Sequence, residues 1–439
     1  MTTGAADTRR VALDILGLIG KGSPLDEAFR SGRVRKPLQA LATRDRALVR
    51  RLVTISLRHR GEIDHVIDRC IDRPLPRSAD RRRDILRLGV TQLLFAGTPA
   101  HAAVDTIVGL ERDARLRGFL NAVLRRVARE GAALLSGLDA PRLNTPPWQW
   151  ETWCAAFGED AARAIALAHM NEPPLDLTLK DRSKASQAAW AKQLDATPLP
   201  WGSLRCRAHG TIDALPGYDE GAWWVQDGAA ALPADLLGDV AGSKIFDLCA
   251  APGGKTAQLA ARGATVVAID RSPTRLKRLT TNLARLALDA TIVCADAASW
   301  SPADSGHGLA DAILLDAPCT ATGTLRRRPD VALHKTPDDV ARLTGVQDAL
   351  IDGATTMVRP GGIIVYSTCS LQLEEGEQRI AEALQRHPGL RREPVTAADV
   401  SGQTEFVTAS GDLRTLPSHL DELGGLDGFF AARLVFEAQ

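Results

Sequence analysis

The 439 residues are 45% hydrophobic and 24% charged, a globular composition too long for one ordinary core, so two or three domains are expected. No run of about 18 uncharged apolar residues offers a membrane span, Met1 to Arg10 lack the apolar segment of a secretory signal, and seven scattered cysteines form neither a CxxC pair nor a zinc pattern. The net charge of +1 conceals an asymmetry: residues 1–140 hold 26 Lys+Arg against 16 Asp+Glu, or +10, and the remainder 28 against 37, or −9.

From Thr8 to about Gly131 apolar residues recur at helical spacing and strand signals are absent. Val11, Leu13, Leu16 and Ile19 make one stripe before a Gly-Ser-Pro break, and Ala47, Leu48, Val53 and Leu57 a second. Ile85 to Leu94 is apolar enough for a central helix, and Phe119 to Val127 would be a last one, with Arg125 and Arg126 on its polar side. The expectation is an all-helical domain over 1–135. Its positive charge is nearly all arginine, whose planar fork suits phosphate and base contacts, so a nucleic-acid partner is the natural reading. A solvated Arg-rich surface is the plainer alternative.

Residues 136–215 are broken by Pro141, Pro146, Pro147, Pro173 and Pro174. Helices near Pro147–Phe157 and Glu159–His169, with a strand-like Leu175–Lys180, suggest a small α+β insert. Over 216–439 the pattern alternates. Short apolar runs at Ile245–Leu248, Thr265–Ile269, Thr291–Cys294, Ala312–Leu315 and Ile363–Tyr366 are separated by helical stretches, as in a doubly wound, Rossmann-like parallel sheet. Phe429–Phe436 has no helix after it and reads as an added antiparallel strand.

The chemistry gathers at the strand ends. Asp247-Leu-Cys-Ala-Ala-Pro-Gly253-Gly254-Lys255-Thr256 closes the first strand, with glycines that let backbone approach a ligand at a helix N-terminus. Asp270 closes the second strand, 16 residues past Gly254, and is placed for ribose hydroxyls. Asp296 follows the third and would reach an adenine amino group. Acids at successive strand ends favour S-adenosylmethionine over a dinucleotide, since no pyrophosphate is present to repel them. The position six before Lys255, glycine in a phosphate-binding Walker loop, is Cys249, which argues against an NTPase.

The fourth strand ends in Asp316-Ala317-Pro318-Cys319 and the fifth in Ser367-Thr368-Cys369-Ser370, so two thiols sit at the ligand edge of the sheet. Carbon 5 of cytosine is too weak a nucleophile to take a methyl group unaided. A thiolate adding to carbon 6 makes the ring an enamine, after which a base removes the carbon-5 proton and the thiol leaves. Lys255 could hold a thiolate ionised by its charge. These residues alone do not rank the two thiols.

DLCAAPGGKT, DAPCTATG and YSTCS, in this order, resemble the RNA cytosine-C5 methyltransferases, in particular the Sun/RsmB family acting on bacterial 16S rRNA. The stretch Leu215 to Asp227, the basic Arg326-Arg327-Arg328-Pro329-Asp330, Asp427-Gly428-Phe429-Phe430, and a helical N-terminus containing Phe119 to Arg126 that looks NusB-like extend the likeness over most of the chain.

The resemblance implies a NusB-like RNA-binding domain followed by a class I methyltransferase domain. It makes Cys369 the nucleophile, Cys319 the aid to product release and Asp316 the group that holds the cytosine. It assigns the cofactor to Ala250, Ala251, Pro252, Gly253, Gly254, Lys255, Asp270, Arg275, Asp296 and Asp316. The target cytosine would be unstacked to reach the thiol.

The implied partner is 16S rRNA, naked or in an early small-subunit particle, with no membrane, no metal, a monomeric chain and a cytoplasmic setting. Two departures stand out. Glu374-Glu375-Gly376-Glu377 has Gly where the family has Asn, and Leu177-Thr178-Leu179 stands where an Arg-Val-Asn is common. The alternatives are the same chemistry on tRNA or another rRNA, a DNA cytosine methyltransferase, and a non-catalytic RNA-binding factor.

Overall fold

The computed structural model describes residues 3–76, 80–206 and 211–437. The chain forms two compact units, Met1–Glu172 with Leu325–Lys335, and Pro173–Thr324 with Thr336–Gln439. None of its described helices is long and apolar enough to cross a membrane.

The first unit is helical throughout. Val11, Leu13, Leu16 and Ile19 on the helix Thr3–Gly20 are all buried, as their spacing predicts. On Thr43–Arg58 the buried face is Val49, Leu52, Val53 and Leu57, while Ala47 is exposed and Leu48 half-buried. The expected stripe was therefore rotated: Val49, Leu52, Val53 and Ser56 keep the helical spacing, and buried Ser56 bonds the Thr91 hydroxyl at 2.7 Å. The apolar run at 85–94 is the helix Asp80–Val90 continued by a wider π-turn, Thr91–Phe95. The last long helix runs Ala114–Leu135, beyond both ends of its apolar stripe, and Asp113 caps its start by accepting from the Arg115 and Leu116 amides.

Three more helices, Ala140–Asn144, Pro147–Phe157 and Glu159–Met170, belong to this unit. So does the later segment Leu325–Lys335. The Leu25 amide donates to Asp330 Oδ2 at 2.9 Å, Arg58 Nη2 donates to the Arg326 carbonyl at 2.8 Å, and His334 Nε2 lies 2.8 Å from the Ile19 carbonyl. Arg326, read from sequence as part of a basic loop, is 1% exposed. Burial lowers the Arg58 guanidinium to about 10, and burial with the charge of Arg326 lowers His169 to about 3.

The second unit holds two sheets. The smaller is antiparallel, with strands β1 (Leu175–Leu179), β2 (Ala196–Pro198), β3 (Leu204–Cys206) and β4 (Trp223–Val225) in the order β2-β3-β1-β4. Asp176 on β1 is 0% exposed, and Arg205 on β3 meets it with two bonds of 2.8 Å. Removing one partner strands the other charge away from water. Arg205→Met should cost about 3–5 kcal/mol, read as a clear fall in the thermal midpoint; an unchanged midpoint would contradict this.

The larger sheet has β5 (Lys244–Leu248), β6 (Thr265–Ile269), β7 (Thr291–Val293), β8 (Ala310–Asp316), β9 (Val358–Thr368), β10 (Leu390–Arg392), β11 (Leu413–Thr415) and β12 (Phe429–Phe436). The order is β10-β12-β9-β8-β5-β6-β7, with β11 also on β12. Strands β5 to β9 are parallel, and β12 is antiparallel to β9 from Phe436↔Gly362 to Phe430↔Thr368. This is the Rossmann-like sheet the alternation predicts. Five parallel strands bring Leu248, Ile269, Val293, Asp316 and Thr368 to one edge.

Candidate active site

The turn after β5 is shaped by steric necessity. Gly253 has φ +101°, and a Cβ there would lie 2.8 Å from Leu279 Cγ, so only glycine fits before the helix Gly254–Ala261. Asp247, in β5, is 0% exposed; its Oδ2 accepts from Thr256 Oγ1 at 2.5 Å, and its Oδ1 has no hydrogen-bond partner among the described residues. Asp270, just past β6, accepts from the Ala251 amide at 3.2 Å and the Ser272 amide at 2.9 Å, and pairs with Arg275 at 3.1 Å. Arg275 also donates to the Ala251 carbonyl. Asp296, past β7, is exposed and caps its own turn by accepting from the Ala298 amide at 3.1 Å.

Burial first, then the charges of Asp270, Asp316 and Asp247, push the Cys249 thiol up to about 12. Three carboxylates therefore act on one point beside the Ala250–Gly254 backbone. That donor set, with an unbonded buried carboxylate oxygen, fits a ligand that brings positive charge.

Burial also raises Asp247 to about 7, against 3.8 for an ordinary aspartate. The folded chain therefore holds this proton across pH 4 to 7 where the unfolded chain releases it. The contribution is full below pH 4 and lost as pH rises through 7. Asp247→Asn should gain in thermal midpoint relative to wild type over that interval; parallel midpoint curves from pH 4 to 8 would contradict the assignment.

The thiols are brought together by strand pairing. Asp316↔Ser367 is a register pair of β8 and β9, and the chain beyond each strand turns over the same edge. Cys319 Sγ and Cys369 Sγ lie 3.5 Å apart, both half-buried. The Cys319 thiol is pushed well above its usual range, first by its hydrogen bond with Cys369, then by burial, then by the charges of Cys369 and Glu375.

Asp316 is held from both sides. Its Oδ2 accepts from Lys255 Nζ at 2.8 Å and its Oδ1 from Ser367 Oγ at 3.2 Å. The Lys255 ammonium is also 5.1 Å from the centre of the Phe429 ring. Lysine and carboxylate form one unit, and the lysine charge is directed at Asp316.

Asp247 and Ser367 join the site with no sequence signal for that role, since nothing in one sequence says that the Asp247 carboxylate is fully buried with one oxygen bonded or that the Ser367 hydroxyl turns to Asp316. The Gly323 amide donates to the Cys369 carbonyl at 3.0 Å, and the Gly428 amide donates to the Gly323 carbonyl at 2.8 Å. These bonds tie the three distant motifs that contain the thiols and the Phe429 ring into one edge.

The family model described as 16S rRNA methyltransferase RsmB/F matches residues 234–435, and that of the NusB family matches residues 6–129. A Pseudomonas putida protein named ribosomal RNA small subunit methyltransferase B is 34% identical over 416 residues, covering 91% of this chain and 92% of its own. Its namesake in Vibrio vulnificus is 32% identical over 447 residues, covering 98% and 100%. Among solved structures, PH0851 aligns with a TM-score of 0.76 at 22% identity over 100% of both chains. NSun6 from Pyrococcus horikoshii with SFG aligns at 0.56 and 21%, covering 67% and 99%. At those identities the two structures speak for the fold. Identity above 30% to relatives along nearly their whole length places the chain in the RsmB/F family of 16S rRNA methyltransferases, with a NusB-family region preceding the methyltransferase region.

Proposed function

We propose that this chain transfers a methyl group from S-adenosylmethionine to carbon 5 of a cytosine in 16S rRNA, through a covalent adduct between Cys369 and carbon 6. The observation that carries the reading is the pair of sulfurs 3.5 Å apart at the ligand edge of the sheet, beside a carboxylate fixed by a lysine. The names of the relatives supply the substrate class.

The backbone of Ala250–Gly254, with Asp270, Arg275 and Asp296, would hold the cofactor, and the carboxylates of Asp270 and Asp316 suit its positive charge. When bound, S-adenosylmethionine supplies an electrophilic methyl group. The chain's own residues do the rest. Asp316, oriented by Lys255 and Ser367, receives the polar edge of the cytosine. Cys369 adds as thiolate to carbon 6, forming a C–S bond and placing electron density on carbon 5.

Once Cys369 is in that bond it is neither an anion nor a hydrogen-bond partner. The largest cause of the raised Cys319 thiol, its bond with Cys369, is then gone, and Cys319 can lose its proton to solvent. The Cys319 thiolate next takes the carbon-5 proton, the C–S bond breaks, and Cys369 leaves as thiolate. One proton goes to solvent in each turnover, and both sulfurs return to their starting states.

The Arg-rich NusB-family region, with its balance of +10 over residues 1–140, would supply phosphate contacts sensitive to salt. Purified protein incubated with 16S rRNA and methyl-labelled S-adenosylmethionine, followed by nucleoside analysis, tests the reading. The expected product is 5-methylcytidine. Label on tRNA alone would keep the chemistry and change the substrate; label on a ribose or an exocyclic nitrogen would overturn the reaction.

A further inference from the structure

The turn that follows the fifth parallel strand is bonded to both thiol-bearing loops. Glu375 is 0% exposed, and its carboxylate grips Thr320, the residue after Cys319. Oε1 and Oε2 accept from the Thr320 amide at 2.9 and 3.2 Å, and Oε2 also accepts from the Thr320 hydroxyl. Gln347 Nε2 bridges the same arrangement, donating to Glu375 Oε1 at 3.2 Å and to the Pro318 carbonyl at 3.0 Å. The residues on either side of Cys319 are thus fixed through one buried carboxylate.

Two positions on, Glu377 serves the other loop through Arg414. The Arg414 Nη2 and Nε donate to the two Glu377 oxygens at 2.6 and 3.1 Å, and Nη1 donates to the carbonyl of Ser370, the residue after Cys369, at 2.5 Å. The guanidinium also lies 4.9 Å from the centre of the Phe430 ring. Between the two acids, a Cβ at Gly376 would stand 2.8 Å from Arg414 Nη2 and 2.9 Å from Phe430 Cγ. Any side chain there would displace the arginine. This accounts for the departure at Gly376: the space that a side chain would occupy is filled by Arg414.

We propose that Glu375 and Arg414 are positioning residues, one for each sulfur, with Glu375 setting Cys319 for proton removal and Arg414 setting Cys369 for attack. The proposal rests on the thiol roles given above. Carboxylate and guanidinium are suited to the task because charge-assisted bonds to backbone groups fix a loop more stiffly than neutral ones. A displacement of about 1 Å in a reacting group can cost about 10²-fold in rate.

The test separates the two steps with full-length protein. RNA carrying 5-fluorocytosine cannot complete proton loss from carbon 5, so the rate at which it is trapped reads attack by Cys369. Adduct accumulating on ordinary RNA during turnover reads release. Glu375→Ala should trap the fluorinated RNA within about 3-fold of the wild-type rate, yet lower kcat by about 10²-fold with kcat/KM little changed and accumulate adduct on ordinary RNA. Glu375→Gln, which keeps one acceptor oxygen and the shape, should sit between.

Arg414→Met and Gly376→Asn should both slow trapping by about tenfold or more without accumulating adduct, and Arg414→Lys should recover part of the loss. If Glu375→Ala turned over slowly with no accumulated adduct, or if all variants slowed both steps alike, the division of labour would be wrong. A wild-type chain that methylated RNA with no adduct on either substrate would overturn the underlying reaction, and the positioning roles with it.

Discussion

Cys369→Ala should abolish methyl transfer, lowering the rate by on the order of 10⁴-fold or more, with the fold intact. The loop does not depend on the sulfur for its shape. The Cys369 carbonyl accepts from Gly323, the next carbonyl accepts from Arg414, and the Ser370 hydroxyl is bonded by Thr320, Thr322 and the Gln372 amide. Alanine keeps every one of those backbone bonds and removes only the nucleophile. A second effect follows from the pairing of the sulfurs. With its partner gone, Cys319 loses the largest cause of its raised thiol, so its alkylation by a thiol reagent should shift to lower pH. Measured turnover above a tenth of wild type would remove Cys369 from its role, and Cys319 would be next to test.

The mirror variant should fail at the opposite end of the reaction. Cys319→Ala leaves Cys369 able to attack, so carbon 6 is captured and the ring is methylated, but the group that takes the carbon-5 proton is missing. Losing a positioned base costs about 10²–10⁴-fold, and the burden falls on release. A protein–RNA band that survives denaturation and disappears on proteolysis should build up with ordinary RNA and cofactor. Normal turnover without such a band would show that another group removes the proton.

The fold was readable wherever side-chain periodicity was long enough to act on. Strand β6 coincides with its apolar run, β5 and β7 match theirs to within one residue, and the antiparallel addition of β12 followed from the lack of a helix after it. Strands β4, β10 and β11 are three residues each, too short for a period of two to be heard.

In the site, the motif residues could be found because glycine, aspartate and cysteine at strand ends have few other uses. Two things could not be read. That the two sulfurs meet rests on a 3.5 Å contact between residues 50 apart, beside a fully buried Glu375. The use of Gly376 was equally hidden, because its reason lies in Arg414, 38 positions downstream on β11. The basic stretch Arg326–Asp330 is the reverse case. It resembles the basic loop of the family, yet Arg326 and Asp330 are buried and bonded within the helical unit.

The central claim is that one named sulfur becomes bonded to the substrate. Incubating the full-length chain with cofactor and 16S rRNA containing 5-fluorocytosine, then mapping the cross-linked peptide by mass spectrometry, tests it most directly. The account predicts a single RNA-bearing residue, Cys369, with Cys319 still alkylatable. RNA bonded to Cys319, or methylated RNA with no cross-link at all, would contradict it.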